Sequence, residues 1–184
     1  MKTPAPILAL AAALTATPAL AADFSLTSPD IASGRPIAEQ QVYDGFGCSG
    51  GNVSPALAWH GAPAGTRSFA LTVYDPDAPT GSGWWHWLVF NLPSTTTEVP
   101  TGAGNADHPL LPAGAVQGRT DFGKPGYGGP CPPKGDKPHR YVFTVYALKT
   151  ATLPLDAASP AAMVGFYIHA NTLAKASLTA TYGR

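Results

Sequence analysis

Three stretches of the chain carry the apolar pattern of β-strands. Phe69-Ala-Leu-Thr-Val-Tyr-Asp75 alternates larger and smaller apolar residues and is rich in β-formers. It predicts a strand with Phe69, Leu71 and Val73 on one face and Asp75 sharing their parity. His86-Trp-Leu-Val-Phe-Asn-Leu92 is a nearly continuous apolar run, the pattern of a strand buried on both faces. Arg140-Tyr-Val-Phe-Thr-Val-Tyr-Ala-Leu148 is the clearest strand of the three. Shorter strands are predicted near Pro55–His60, Gly114–Arg119 and Leu178–Tyr182. Pro93–Gly114 lacks periodicity and predicts a long surface loop, and the glycines and prolines of Asp121–Lys137 exclude regular structure there. The period changes late in the chain. Met163, Phe166, Tyr167, Ala170, Leu173 and Ala174 recur at three- and four-residue spacing, which predicts a helix over Pro160–Ser177 that packs this apolar face on the core. Ser159 and Pro160 read as its N-cap and first-turn pair. Several strands followed by one helix predict an all-β, mainly antiparallel sandwich with a C-terminal helix.

Composition narrows the class. The chain has 184 residues with 20 glycines and 20 prolines spread along it, as many short strands joined by turns require. Formal net charge is zero and no run of Lys and Arg occurs, which argues against nucleic acid and against a charge-driven membrane surface site. Residues 1–22 read as a secretory signal peptide: Lys2, an apolar run over Ile7–Ala16, Pro18, then small residues at Ala19–Ala22. The run is too short and too Pro-interrupted for a spanning helix, and no second hydrophobic segment follows. The expectation is therefore an exported protein, periplasmic or secreted and without stable membrane insertion, whose single domain is Asp23–Arg184. Cys48 and Cys131, the two cysteines of the chain, both follow the cleavage region. A single pair in an oxidising compartment is a disulfide candidate.

Candidate chemistry sits at the strand ends. Tyr74-Asp-Pro-Asp-Ala-Pro-Thr80 runs a buried-looking strand into two carboxylates, and a carboxylate at the end of an inward face needs partners. Trp84-Trp-His-Trp87 sets three indoles around His86. His139 and Tyr141 share parity and project to one side, whereas Arg140 points the other way toward an ion pair. The glycines and prolines of Gly128–Gly135 let backbone approach a ligand closely. Two imidazoles, a phenol and backbone N–H groups suit phosphate or carboxylate oxygens, with Asp75 orienting an imidazole. Histidines near their ordinary pKa of about 6.5 would bind an anion better once protonated. Two other readings use the same residues. Cys131 with His139 would make a thiol hydrolase, although no nucleophile motif of the Gly-x-Ser-x-Gly kind occurs. Asp75, His86 and His139 would make a metal site, although no local ligand spacing supports it.

These segments resemble the phosphatidylethanolamine-binding protein family, whose members are also called Raf-kinase-inhibitor-like proteins. The matching motifs are Asp75-Pro-Asp-Ala-Pro79, Trp84-Trp-His86-Trp-Leu-Val and Gly129-Pro-Cys-Pro-Pro-Lys-Gly135 leading to His139-Arg-Tyr141. Phe46-Gly-Cys-Ser-Gly-Gly-Asn-Val-Ser-Pro55 and the stretch from Leu173 to Arg184 resemble the bacterial branch. The resemblance implies a Greek-key β-sandwich and a small anion pocket made by Asp75, Pro79, His86, Gly129, His139 and Tyr141. It implies a binding protein rather than an enzyme, no cofactor, and a role in inhibiting or tuning a partner, here an extracytoplasmic enzyme. Trp85 departs from the pattern, standing where many animal relatives carry a further histidine.

Overall fold

The computed structural model describes residues 23–184. The signal-peptide reading of residues 1–22 lies outside the described residues. The strands are β1 (Ser25–Thr27), β2 (Asp44–Gly45), β3 (Cys48–Ser49), β4 (Leu57–His60), β5 (Ser68–Asp75), β6 (Trp84–Pro93), β7 (Glu98–Val99), β8 (Val116–Gln117) and β9 (His139–Leu148). The helix α1 (Ala161–Asn171) runs directly into β10 (Thr172–Tyr182). Five strands form one sheet in the order β10-β9-β5-β6-β8, and β1-β4-β7 form a second. Every paired ladder is antiparallel. β9 returns by a long connection to lie beside β5, which gives the large sheet a Greek-key order.

Strand parity explains the layers. Phe69, Leu71 and Val73 of β5 join Phe143, Val145 and Ala147 of β9 and meet Leu26, Leu57 and Trp59 of the small sheet. Ala70 of β5, Leu88 and Phe90 of β6 and Tyr146 and Leu148 of β9 face the other way and are covered by α1. β5, β6 and β9 are apolar on both sides because the large sheet is the middle layer. A bulge lies where Asn91 takes a positive φ of 59°. It shifts parity so that Leu92 faces the sandwich core beside Val89.

The end of the chain differs from the sequence expectation. The helix stops at Asn171, and Thr172–Tyr182 is one continuous edge strand paired along β9. Asn171 Nδ2 donates to Tyr167 O and Thr172 Oγ1 donates to Ile168 O, which closes the last turn. β-branched Thr172, Thr179 and Thr181 favour the strand beyond it. The helix buries Ala161, Val164, Gly165 and Ile168, while Met163 and Phe166 are exposed. Both sides of the helix are apolar, so spacing alone picked the wrong stripe. Ser159 is not the cap either: its hydroxyl bonds Asp156, and Pro160 occupies the cap position without a side-chain bond. The loop expected over Pro93–Gly114 contains β7, with Val99 and Ala103 buried in the core.

Candidate functional site

Asp75 ends β5, Trp84 begins β6 and His139 begins β9. These three strands are neighbours and antiparallel, so the end of β5 lies with the starts of β6 and β9. Sheet order therefore brings together residues far apart in sequence. His86 arrives there by a second irregularity. Val73 pairs with Trp87 and Tyr74 with Trp85, so His86 is the extra residue of a bulge. Without the bulge His86 would share the side of Leu88 beneath the helix. With it, the imidazole lines the same cleft as Asp75 and Tyr141.

The cleft has a volume of about 210 Å³. Asp75, Thr80, His86, His139 and Tyr141 supply polar side chains, and Pro79, Trp84, Phe122 and Phe46 form much of its apolar wall. Asp75 and His139 are nearly buried and bonded to each other, with His139 Nδ1 2.8 Å from Asp75 Oδ2. The other Asp75 oxygen accepts the N–H groups of Asp77 and Ala78. His139 Nε2 lies 3.4 Å from Asp136 Oδ2. His86 Nδ1 donates to Gly128 O at 2.6 Å, since a carbonyl can only accept. Burial pushes the His86 pKa down to about 4, against the opposing pull of the Gly128 carbonyl. His86 is thus neutral at neutral pH and does not keep the ordinary pKa of about 6.5 expected from sequence. The Tyr141 hydroxyl is buried and has no hydrogen-bond partner, and burial raises its pKa.

Five of the six predicted pocket residues line this cavity: Asp75, Pro79, His86, His139 and Tyr141. Gly129 does not. Its N–H donates to Asn52 Oδ1, and a Cβ there would fall 2.0 Å from Gln41 O. The close approach of the Gln41–Tyr43 backbone requires glycine at that point. Arg140 points away and pairs with Asp77 at 2.7 Å, as expected. Trp85 lies outside the cleft, packed at a tilt against Tyr74 on the helix side of the sheet. The expected disulfide joins Cys48 to Cys131 and places Cys131 in the cavity wall. It also removes the thiol that a cysteine–histidine hydrolase would need.

Sequence reasoning missed the mouth of the cleft. Tyr43, Phe46, Phe122 and Trp84 form a chain of ring contacts 4.4–5.8 Å apart, with Phe46 largely exposed. Arg184 clamps this rim, donating to Pro132 O, Gly47 O and Phe46 O. Gly47 was the readable hint of the tight turn between β2 and β3, where Phe46 and Gly47 both take positive φ.

Residues 27–183 match the family described as phosphatidylethanolamine-binding protein. The chain belongs to this family. It is 57% identical to the UPF0098 protein YbcL of Escherichia coli over 164 residues, covering 89% of this chain and 90% of that protein. It is 51% identical to the UPF0098 protein YbhB of the same organism over 159 residues, covering 86% and 99% respectively. The crystal structure of E. coli YbcL, described as a member of the mammalian PEBP family, superposes with a TM-score of 0.87 at 56% identity and covers 89% of this chain and 99% of that one. A PEBP homologue from Chlamydia trachomatis aligns with a TM-score of 0.72 at 32% identity, covering 88% and 97%. A Mycobacterium tuberculosis protein that carries a lipoprotein name, LppC, is 41% identical over 136 residues, which is 73% of this chain and 61% of that protein. Family and sandwich fold are thereby established.

Proposed function

We propose that this family member is an exported binding protein whose cleft holds a small phosphate-like anion. The observation that carries the reading is the Tyr141 hydroxyl, buried at the cavity without a partner. An unsatisfied buried donor costs about 1–3 kcal/mol in stability, and a site retains such a cost where a ligand completes the bond. His139, held by Asp75, and His86, held by Gly128, sit beside it in fixed orientations. Four side chains, Asp75, His86, His139 and Tyr141, therefore present preset polar groups to one ligand-sized space.

Neither runner-up gains support. A hydrolase lacks a free thiol at Cys131. For a metal site, the described residues contain no group of three or more His, Cys, Asp or Glu side chains arranged to hold an ion. Placement outside the cytoplasm is supported by the disulfide and by the lipoprotein name of the mycobacterial relative. The aromatic rim around Phe46 is the surface through which a partner enzyme would meet the cleft.

Isothermal titration of the mature protein with inorganic phosphate, methyl phosphate and acetate tests the reading. Saturable one-site binding of the phosphates is expected, weakened by His139→Ala. Absence of binding in the parent protein, or equal binding in a Tyr141→Phe/His139→Ala double variant, would refute it. Cell fractionation tests export, with recovery in the cytoplasmic fraction as the contrary result.

A further inference from the structure

The hydrogen-bonding pattern around His86 says more about the anion than that it is small. Nδ1 is committed as a donor to Gly128 O, which leaves Nε2 as an unprotonated acceptor with no bond to any described residue. The groups facing the imidazole come from several elements: Asp75 from β5, His139 and Tyr141 from β9, and the backbone of Gly128 and Gly129 from the loop before β9. Asp136 stands behind His139. The cavity is lined by no Lys or Arg, and the nearby Arg140 is turned away onto Asp77. One carboxylate, Asp75, and two imidazoles, His86 and His139, therefore line the ligand space, with the Asp136 carboxylate behind His139. Such a surround does not match a dianion. The Tyr141 hydroxyl and His86 Nε2 lack protein partners there, whereas His139 Nε2 faces Asp136 at 3.4 Å.

On the phosphate-binding reading above, we infer that the cleft selects a phosphomonoester carrying one proton over a phosphodiester. The singly charged monoester fits both free groups. One phosphoryl oxygen accepts from the Tyr141 hydroxyl, and the P–O–H donates to His86 Nε2. A diester has no such hydrogen and sets an oxygen lone pair against the Nε2 lone pair. It would bind well only if His86 took a proton, which its burial opposes. The second ionisation of a phosphomonoester lies near 6, about two units above the folded pKa of His86. At neutral pH the monoester is therefore the more readily protonated of the two by roughly a hundredfold. A phosphatidylethanolamine headgroup is itself a diester, so this chain's cleft would favour a different source of phosphate from the one in the family's description.

The test is titration calorimetry of the mature, disulfide-bonded protein at about pH 7.5, in two buffers of different ionisation enthalpy, where a monoester is largely dianionic. The probes are methyl phosphate, dimethyl phosphate and glycerophosphoethanolamine, the last being a diester that carries an ammonium donor. Methyl phosphate should bind about tenfold or more tightly than either diester and take up about one proton per site. Uptake should shrink as the pH falls below about 6, where the monoester already holds its proton. His86→Asn keeps a donor for Gly128 O and removes Nε2, so it should erase both the preference and the uptake. Equal affinity for either diester, binding without proton uptake, or a His86→Asn variant that keeps the preference would overturn the inference while leaving phosphate binding intact. The proton count is measured on the parent protein, so it holds even if the variant does not fold. Failure of all three probes to bind would overturn the phosphate reading and this inference together.

Discussion

Asp75 divides its two oxygens between two tasks. One orients His139, and the other accepts the N–H groups of Asp77 and Ala78 and so shapes the turn that carries Pro79. Asp75→Asn should consequently weaken phosphate binding and lower stability together, by about 1–3 kcal/mol in chemical denaturation, because a buried bond to a charged acceptor is lost. Tyr141 behaves in the opposite way. Its ring is core, but its hydroxyl has no partner, so Tyr141→Phe removes a polar group that folding leaves unsatisfied. We expect Tyr141→Phe to leave the urea midpoint unchanged or raise it, and to reduce phosphate affinity by about 0.5–1.5 kcal/mol, the worth of one neutral hydrogen bond. A variant that loses stability without losing affinity would show that the hydroxyl serves the fold and not the ligand. Lys149, exposed at the far end of β9, is the control whose replacement should change neither quantity.

At the scale of elements, the helix supplies a direct check on which side is buried. Ile168→Ala on α1 should cost about 2–5 kcal/mol, because Ile168 is fully buried beneath the sheet. Phe166→Ala, on the exposed side, should fall within about 0.5 kcal/mol of the parent. Reversed magnitudes in urea melts would restore the apolar stripe that spacing alone suggested. The disulfide ties the β2–β3 hairpin to the loop holding Cys131, across a separation of 83 residues. Cys48→Ala/Cys131→Ala should therefore destabilise by roughly 2–5 kcal/mol and also loosen the rim at Phe46, read as a weakened phosphate isotherm. The contrast between β5 and α1 shows what a sequence can reveal. Phe69, Leu71, Val73 and Asp75 alternate, so their shared direction was legible, as was that of His139 and Tyr141. The bulge at His86 was not, because one extra residue reverses a strand's facing without altering its composition. Gly129 and Arg184 were opaque for a different reason. Their roles depend on Gln41 and Gly47, more than eighty residues away in the chain, and tertiary contact of that kind leaves no local pattern.

For the whole molecule, the consequence of burying His86 neutral is a stability that depends on pH. Unfolded, this histidine titrates near 6.5; folded, burial holds it near 4. Above the unfolded value neither state carries the proton, and the full stability is present. As the pH falls from about 6.5 toward about 4, the unfolded chain takes up a proton that the folded protein refuses, and stability declines throughout that window. The 2.5-unit gap between 6.5 and 4 corresponds to ~3 kcal/mol. A second loss follows at more acid pH, where Asp77, held well below the usual carboxylate range by its bond to Arg140, finally protonates. That pair is largely solvent-facing, so its share is small. Urea unfolding of the parent and of His86→Asn, followed from pH 7.5 to 4 in phosphate-free buffer, separates these contributions, since bound anion would itself stabilise the folded state. The parent should lose stability steeply between about pH 6.5 and 4, and the variant should show a much flatter profile over the same range. A parent as flat as the variant would mean that water reaches the imidazole and that His86 enters the cleft as a solvated base. The monoester preference would then lose its physical basis, because protonating His86 for a diester would no longer be opposed by burial.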